Sequence, residues 1–230
     1  MKTIGIIGGM SWESTATYYQ ILNREVRHRL GGFHSAPIIL HSLDFAEIEA
    51  CQSRGDWESA GVALADSAKR LEIAGADIIL LATNTMHKVA SYITDASSVP
   101  FLHIADATAD KLKAAGITKV GLIATRFTME QDFYKTRLTE VHGINVVVPD
   151  KQGRDTIHRI IYEELVQGIL KDESRTSALA VLDQLREEGV EAVLLGCTEL
   201  ELLIKPEHTT VPLFDTTAIH ATKAVELALE

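Results

Sequence analysis

Cysteine is scarce: Cys51 and Cys197 are the only two in 230 residues. That is too few for a disulfide framework or a cysteine-rich metal site, and it fits a reducing compartment. No apolar run approaches the roughly 18 residues that a membrane helix requires. The apolar opening of Met1 to Met10 is broken by Gly5, Gly8 and Gly9 and followed by Ser11-Trp12-Glu13, which reads as a first strand and turn rather than a signal peptide. A soluble cytoplasmic protein is expected. Basic charge is short as well, with 22 Lys and Arg against 32 Asp and Glu and a formal net charge of −10. Surfaces that track phosphates need clustered cations, so nucleic acid is excluded as a partner. An anionic small molecule would have to be held by local N–H groups or a few cations. Neither G-x-x-x-x-G-K-[ST] nor G-x-G-x-x-G occurs, so ATP and NAD are not indicated. The nine histidines show no H-x-x-x-H or similar ligand spacing, so no metal is expected, and His28, His34, His142 and His208 read as surface residues.

What is present is an ordinary globular composition, 46% hydrophobic and 23% charged with a mean hydropathy of +0.08, enough for a sizeable core. Short continuous apolar runs at Ile4–Ile7, Ile38–His41, Ile78–Leu81, Val120–Ile123, Val146–Val148 and Ala192–Leu195 alternate with helical spacing. The helices expected in the first half are Thr15–Leu30, Phe45–Cys51, Glu58–Ala74 and one around His87–Ile93. Such runs, lacking polar alternation, indicate parallel strands covered on both faces, hence an α/β fold. The chain also repeats itself. Ile4-Gly5-Ile6-Ile7-Gly8-Gly9 resembles Val120-Gly121-Leu122-Ile123-Ala124-Thr125, 116 positions later. Gly75 to Thr83 resembles Gly189 to Cys197 at an offset of 114. Near-equal offsets in the same order imply two copies of one α/β unit.

Under this repeat Thr83 and Cys197 are equivalent, each just past the C-terminal end of a strand, where ligands of open α/β sheets bind. In Thr83-Asn84-Thr85-Met86-His87 a strand runs through small polar residues into a helix, a pattern suited to a carboxylate or, without any ligand, to N-capping by Asn84 or Thr85. In Gly196-Cys197-Thr198-Glu199 the same geometry puts a thiol at a helix start, where the dipole would lower its pKa from about 8.5. Gly8-Gly9-Met10 closes the first strand and exposes N–H groups or forms an ordinary tight turn. Cys51 has no counterpart in the other half and reads as packing.

Ile4-Gly5-Ile6-Ile7-Gly8-Gly9-Met10-Ser11-Trp12-Glu13-Ser14-Thr15, Asp44-Phe45, Asn84-Thr85-Met86-His87, Gly196-Cys197-Thr198-Glu199-Leu200 and Asp215-Thr216-Thr217-Ala218-Ile219-His220-Ala221 together resemble the cofactor-independent aspartate/glutamate racemase family. The resemblance implies two pseudosymmetric domains, residues 1–98 with 208–230 and residues 99–207, with the active site in the cleft between them. It implies a homodimer and no cofactor, neither pyridoxal phosphate nor metal. It further implies one cysteine per domain, facing opposite sides of the substrate α-carbon. Cys197 matches the second of these, but Thr83 stands where the family has the first. Cys197 is thus the expected base on L-substrates and Thr83 the proton donor, directly or through water. The Met10 N–H, Asn84, Thr85, Thr125 and Thr198 are expected to hold the substrate carboxylate. Gln52 matches a side-chain-binding position, where a neutral amide admits homoserine-like substrates beside aspartate and glutamate. His87, Glu199 and His220 are expected to support the site. The single cysteine also resembles arylmalonate decarboxylases, and a non-catalytic amino acid binding protein is a further alternative.

Overall fold

A computed structural model describes residues 1–230. The chain forms two compact units, Met1–Ile104 with His220–Glu230 and Ala105–Ile219. The first contains β1 (Ile4–Gly8), α1 (Trp12–Leu30), β2 (Ile38–Ser42), α2 (Phe45–Arg54), α3 (Trp57–Ile73), β3 (Ile78–Leu81), a 3-10 turn (Thr85–Val89), α4 (Ala90–Ala96) and β4 (Phe101–Leu102). Then come α5 (Ile104–Ala114), β5 (Lys119–Ile123), the short helices α6 (Arg126–Glu130) and α7 (Asp132–Thr136), β6 (Asn145–Val147), α8 (Lys151–Glu163), α9 (Asp172–Glu187), β7 (Ala192–Leu195), α10 (Leu200–Leu203), β8 (Leu213–Asp215) and α11 (Thr216–Leu229). No helix is long and apolar enough to cross a membrane.

Each unit holds a four-stranded sheet, ordered β2-β1-β3-β4 in one and β6-β5-β7-β8 in the other. Every pairing is parallel, as the unbroken apolar runs require. The sequence repeat is reproduced in register: Ile4 pairs with Ile78, and its counterpart Val120 pairs with Ala192. Two strands escape the sequence pattern, β4 and β8, because each holds only two consecutive apolar residues, against three at Val146–Val148. They decide where the units divide, since β4 completes the first sheet and β8 the second. The boundaries expected from sequence, after residues 98 and 207, precede both strands.

Side-chain alternation along the first sheet feeds two apolar layers. Ile4, Ile6, Ile78 and Leu80 pack with Tyr18, Leu22 and Val26 of α1 and with Ala221, Ala224, Val225 and Ala228 of α11. Ile7, Ile79 and Leu81 face the other way, onto Ile48 of α2 and Ala60, Leu64, Ala68 and Leu71 of α3. Helix α1 starts three residues earlier than its apolar spacing suggests, because the Ser11 hydroxyl accepts the Ser14 N–H and caps it. In the second unit α8 buries Ile157, Ile160 and Ile161, and α9 buries Ala178, Val181, Leu182 and Leu185. His142 is not a surface residue: its side chain is 12% exposed, and it accepts from Lys113 through Nδ1 and donates through Nε2 to Asp106, which also takes a bidentate pair from Arg137.

The turn after β1 leaves no room for a side chain at Gly9, which has φ +91° and whose added Cβ would overlap the Leu43 backbone oxygen. Gly9→Ala therefore combines backbone strain with a main-chain clash, and is expected to cost about 3 kcal/mol or more, read as a lowered urea midpoint at unchanged slope.

Candidate active site

At the C-terminal edge of the first sheet two turns meet. The Ser14 hydroxyl donates to the Ala82 carbonyl at 3.3 Å, and the Ala82 N–H donates to the Ile7 carbonyl at 2.9 Å, which joins the turn after β1 to the turn after β3. Thr15 accepts the Gly9 N–H through Oγ1 at 2.8 Å, so Met10 supplies the next N–H this turn can present. Thr83 is partly buried just beyond β3, and Asn84 and Thr85 are buried beside it. The Asn84 side chain makes no capping bond to the 3-10 turn it precedes, so the ligand-free capping pattern is not realised by Asn84. Gln52, buried on α2, donates its amide to the Met86 sulfur at 3.0 Å, a weak acceptor.

Two histidines support this edge. His87 Nε2 accepts the Ile104 N–H at 3.2 Å, so Nδ1 carries the proton and donates to the Thr83 carbonyl at 2.7 Å. Burial, with His103 and His220 nearby, pushes the His87 pKa well below its usual value and keeps the ring neutral. His220 Nε2 donates to the Leu102 carbonyl at 2.9 Å, and its Nδ1 meets the Tyr18 hydroxyl at 2.8 Å. These rings and that of His103 stack edge-on, with centroids 4.5 Å apart for His87 and His103 and 5.8 Å for His87 and His220.

At the corresponding edge of the second sheet, the chain leaves β5 through Ala124 to the half-buried Thr125, whose hydroxyl lies 3.3 Å from that of Thr128. Beside it the Gly196 N–H donates to the Ile123 carbonyl at 2.8 Å. A Cβ on Gly196 would stand 2.8 Å from that of Ala124, so only glycine lets the chain leave β7 this close to β5. Cys197 follows, its thiol donating to Glu199 Oε2 at 3.0 Å; the Thr198 hydroxyl donates to the same oxygen at 2.9 Å.

A family model for Asp/Glu/hydantoin racemases matches residues 7–224 of this chain. The chain belongs to the Asp/Glu/hydantoin racemase family. A crystal structure from Yersinia pestis assigned to the Asp/Glu racemases is 53% identical, with a TM-score of 0.96 and 100% of each chain covered. An aspartate racemase homologue from Pyrococcus horikoshii is 40% identical, with a TM-score of 0.89 and 100% of each chain covered. The broad specificity amino-acid racemase of Bacillus subtilis is 25% identical over 181 residues, 76% of this chain and 74% of that protein.

In this member of the racemase family the thiol differs from what the sequence suggests. Its pKa is raised well above the usual value, first by burial and then by the charge of Glu199 and the hydrogen bond the thiol gives it. The dipole that was to lower it is missing, because α10 is a single turn of four residues beginning at Leu200. Within its own unit the structure gathers Thr83, Asn84, Thr85, His87, His220, Gln52 and Met10 around the ends of β1 and β3. In the other unit it gathers Thr125, Cys197, Thr198 and Glu199 around the ends of β5 and β7. Sequence reasoning gave no site role to Tyr18 or His103, and it met Asp215 only as the first residue of the segment Asp215–Ala221, without foreseeing β8.

Glu199→Gln, in a Cys51→Ser background that leaves one thiol, is expected to move the pH midpoint of Cys197 alkylation by iodoacetamide down by about one unit or more. For His87 the folded pKa lies below the ordinary 6.5. Its contribution to stability is therefore present above pH 6.5 and lost as pH falls through the folded value. The urea midpoint should drop on acidification below about pH 6.5, and less steeply in His87→Gln.

Proposed function

We propose that this protein is a cofactor-independent amino acid racemase acting on L-aspartate, L-glutamate or a related small amino acid such as homoserine. The observation that carries the reading is the Cys197 thiol set against a carboxylate at 3.0 Å, just past the end of a parallel strand, in a chain of this family. Inversion at an α-carbon needs a proton acceptor on one face and a donor on the other. Cys197 is assigned as acceptor and Thr83, its equivalent under the repeat, as donor. Glu199 takes the thiol proton, and the thiolate then removes the α-proton of the L-isomer. A thiolate whose pKa is raised is scarce at neutral pH yet more basic, which favours removal of a very weakly acidic C–H. The carbanion takes a proton from the Thr83 hydroxyl or a water beside it; Glu199 releases the proton it took to solvent and solvent returns one to the Thr83 side, which closes the cycle.

The Met10 N–H, Asn84, Thr85 and Thr125 are assigned to the substrate carboxylate, and Gln52 to the side chain. Thr198 is assigned there through its backbone, since its hydroxyl proton is committed to Glu199. His87 acts through the Thr83 carbonyl and His220 through Tyr18 and Leu102. The proposed working assembly is a homodimer. Enantiomers in water have equal free energy, so kcat/KM for a true racemase is the same in both directions. The unequal pair Cys197 and Thr83 shows instead as different kcat and KM values for the two isomers.

In D2O, L-aspartate or L-glutamate should exchange its α-proton and yield the D-isomer, followed by NMR and chiral chromatography, with both signals lost in Cys197→Ala. Absence of exchange from every acidic amino acid and from homoserine would overturn the reading. Thr83→Cys is expected to raise turnover of the D-isomer by about tenfold or more, because a thiolate replaces a very poor base on that face.

A further inference from the structure

Thr83 is held through its main chain. Its N–H donates back to the Leu81 carbonyl at 2.9 Å, and its own carbonyl accepts the Nδ1 proton of His87 at 2.7 Å. Between these two bonds its Cα, and with it the direction of the side chain, is fixed. His87 in turn leans on Ile104, whose N–H it accepts through Nε2 at 3.2 Å. Ile104 ends a tripeptide, Leu102-His103-Ile104, that leaves β4 beside the end of β3, where Leu102 pairs with Leu80. The middle residue sets its ring edge-on against His87, with centroids 4.5 Å apart. His220 grips the same tripeptide from α11, donating from Nε2 to the Leu102 carbonyl at 2.9 Å.

The two imidazoles are thereby set in opposite tautomers. A carbonyl only accepts, so His220 carries its proton on Nε2 and offers a bare Nδ1. A backbone N–H only donates, so His87 is bare at Nε2 and carries its proton on Nδ1. The bare Nδ1 of His220 takes the Tyr18 hydroxyl proton at 2.8 Å. Tyr18 lies on α1 in the apolar layer with Leu22 and Val26, where a phenylalanine ring would pack as well; the bond to His220 is what the hydroxyl adds. Donor meets acceptor at each step from Tyr18 to the Thr83 carbonyl, and reversing either imidazole would set like against like. Such a chain polarises along its length, so a donor at one end strengthens the bonds beyond it.

We propose that Tyr18 is a positioning residue for Thr83. Its hydroxyl holds His220 as an Nε2 donor, His220 holds the tripeptide, and the tripeptide holds His87 as the Nδ1 donor to the Thr83 carbonyl. Tyr18 is 1% exposed, too deeply buried to touch substrate. Its effect on turnover rests on the assignment of Thr83 as proton donor. The chain of bonds does not, because all its members lie in the first unit and can be read without a substrate. The tripeptide is also the last stretch before the chain leaves that unit, and His220 is the first residue on its return, so both crossings are fastened to the residue behind Thr83.

Tyr18→Phe keeps the ring and removes only the hydroxyl. NMR of wild-type protein carrying isotope-labelled histidine and threonine, at neutral pH, should show single tautomers, Nε2–H for His220 and Nδ1–H for His87. In Tyr18→Phe His220 should populate both tautomers, the Thr83 carbonyl resonance should shift, and the Ile104 amide should exchange about tenfold faster. Leu22→Ala, which opens a cavity in the same layer, should lower the urea midpoint and leave the tautomers and the Thr83 carbonyl as they are. With L-aspartate or L-glutamate, Tyr18→Phe should lower kcat by about tenfold and change KM by less than about twofold. His220 and Thr83 signals unmoved by Tyr18→Phe, the same changes in Leu22→Ala, or other tautomers in the wild type overturn the proposal. So does an unchanged kcat beside moved signals. An inactive wild type overturns the racemase reading instead, and the NMR signals alone then decide whether Tyr18 sets the geometry at Thr83.

Discussion

Parallel pairing is the constraint on which the rest depends. A strand whose neighbours run alongside it in the same direction must be re-entered from the far end, so every C-terminal end in a sheet lies along one edge. In both units the residues with chemistry to offer sit where the chain leaves that edge: Met10 and Thr83 in one, Thr125, Cys197 and Asp215 in the other. Apart from Asp215, which ends β8, the strands themselves contribute none of these side chains. Their work is to fix where the turns start, helped by close approaches such as that of Gly196 to Ala124.

The two edges are built from different electrostatic materials. The first relies on His87, kept neutral by burial, and on His220, each committed to a backbone carbonyl through one ring nitrogen. The second concentrates acids: the Cys197 thiol against Glu199, and Asp215, whose pKa burial pushes up to about 7. In such a place each added negative charge raises the cost of the next, so the thiol stays protonated until a neighbour changes state. The two edges thus differ in their electrostatics, although both sheets share the same strand order.

Much of the fold was readable because buried parallel strands must be written as apolar runs, and six of the eight are. The repeat was readable for the same reason, and its offsets survive as the pairing of Ile4 with Ile78 and of Val120 with Ala192. What lacked a signal was short or non-local. β4 and β8 hold only two consecutive apolar residues each, against three at Val146–Val148, so both went unread, and Asp215 was met only within the segment Asp215–Ala221. The direction of the Cys197 pKa was misjudged because a helix start was inferred from spacing, whereas the neighbour that matters is a side chain two residues on. Tyr18 and His220 stand 202 positions apart, and no local pattern announces such a pair.

The discontinuity of the first unit has a consequence for synthesis. One face of its sheet, carrying Ile4, Ile6, Ile78 and Leu80, is covered in part by Ala221, Ala224, Val225 and Ala228. Those residues are translated only after the whole of Ala105–Ile219. The usual order, in which the N-terminal unit folds first as the chain emerges, is therefore reversed. The second unit is contiguous and can condense while the nascent first sheet still shows an apolar face to water. Until residues 220–230 are made that part of the face stays open to water, and they are the latch that closes it.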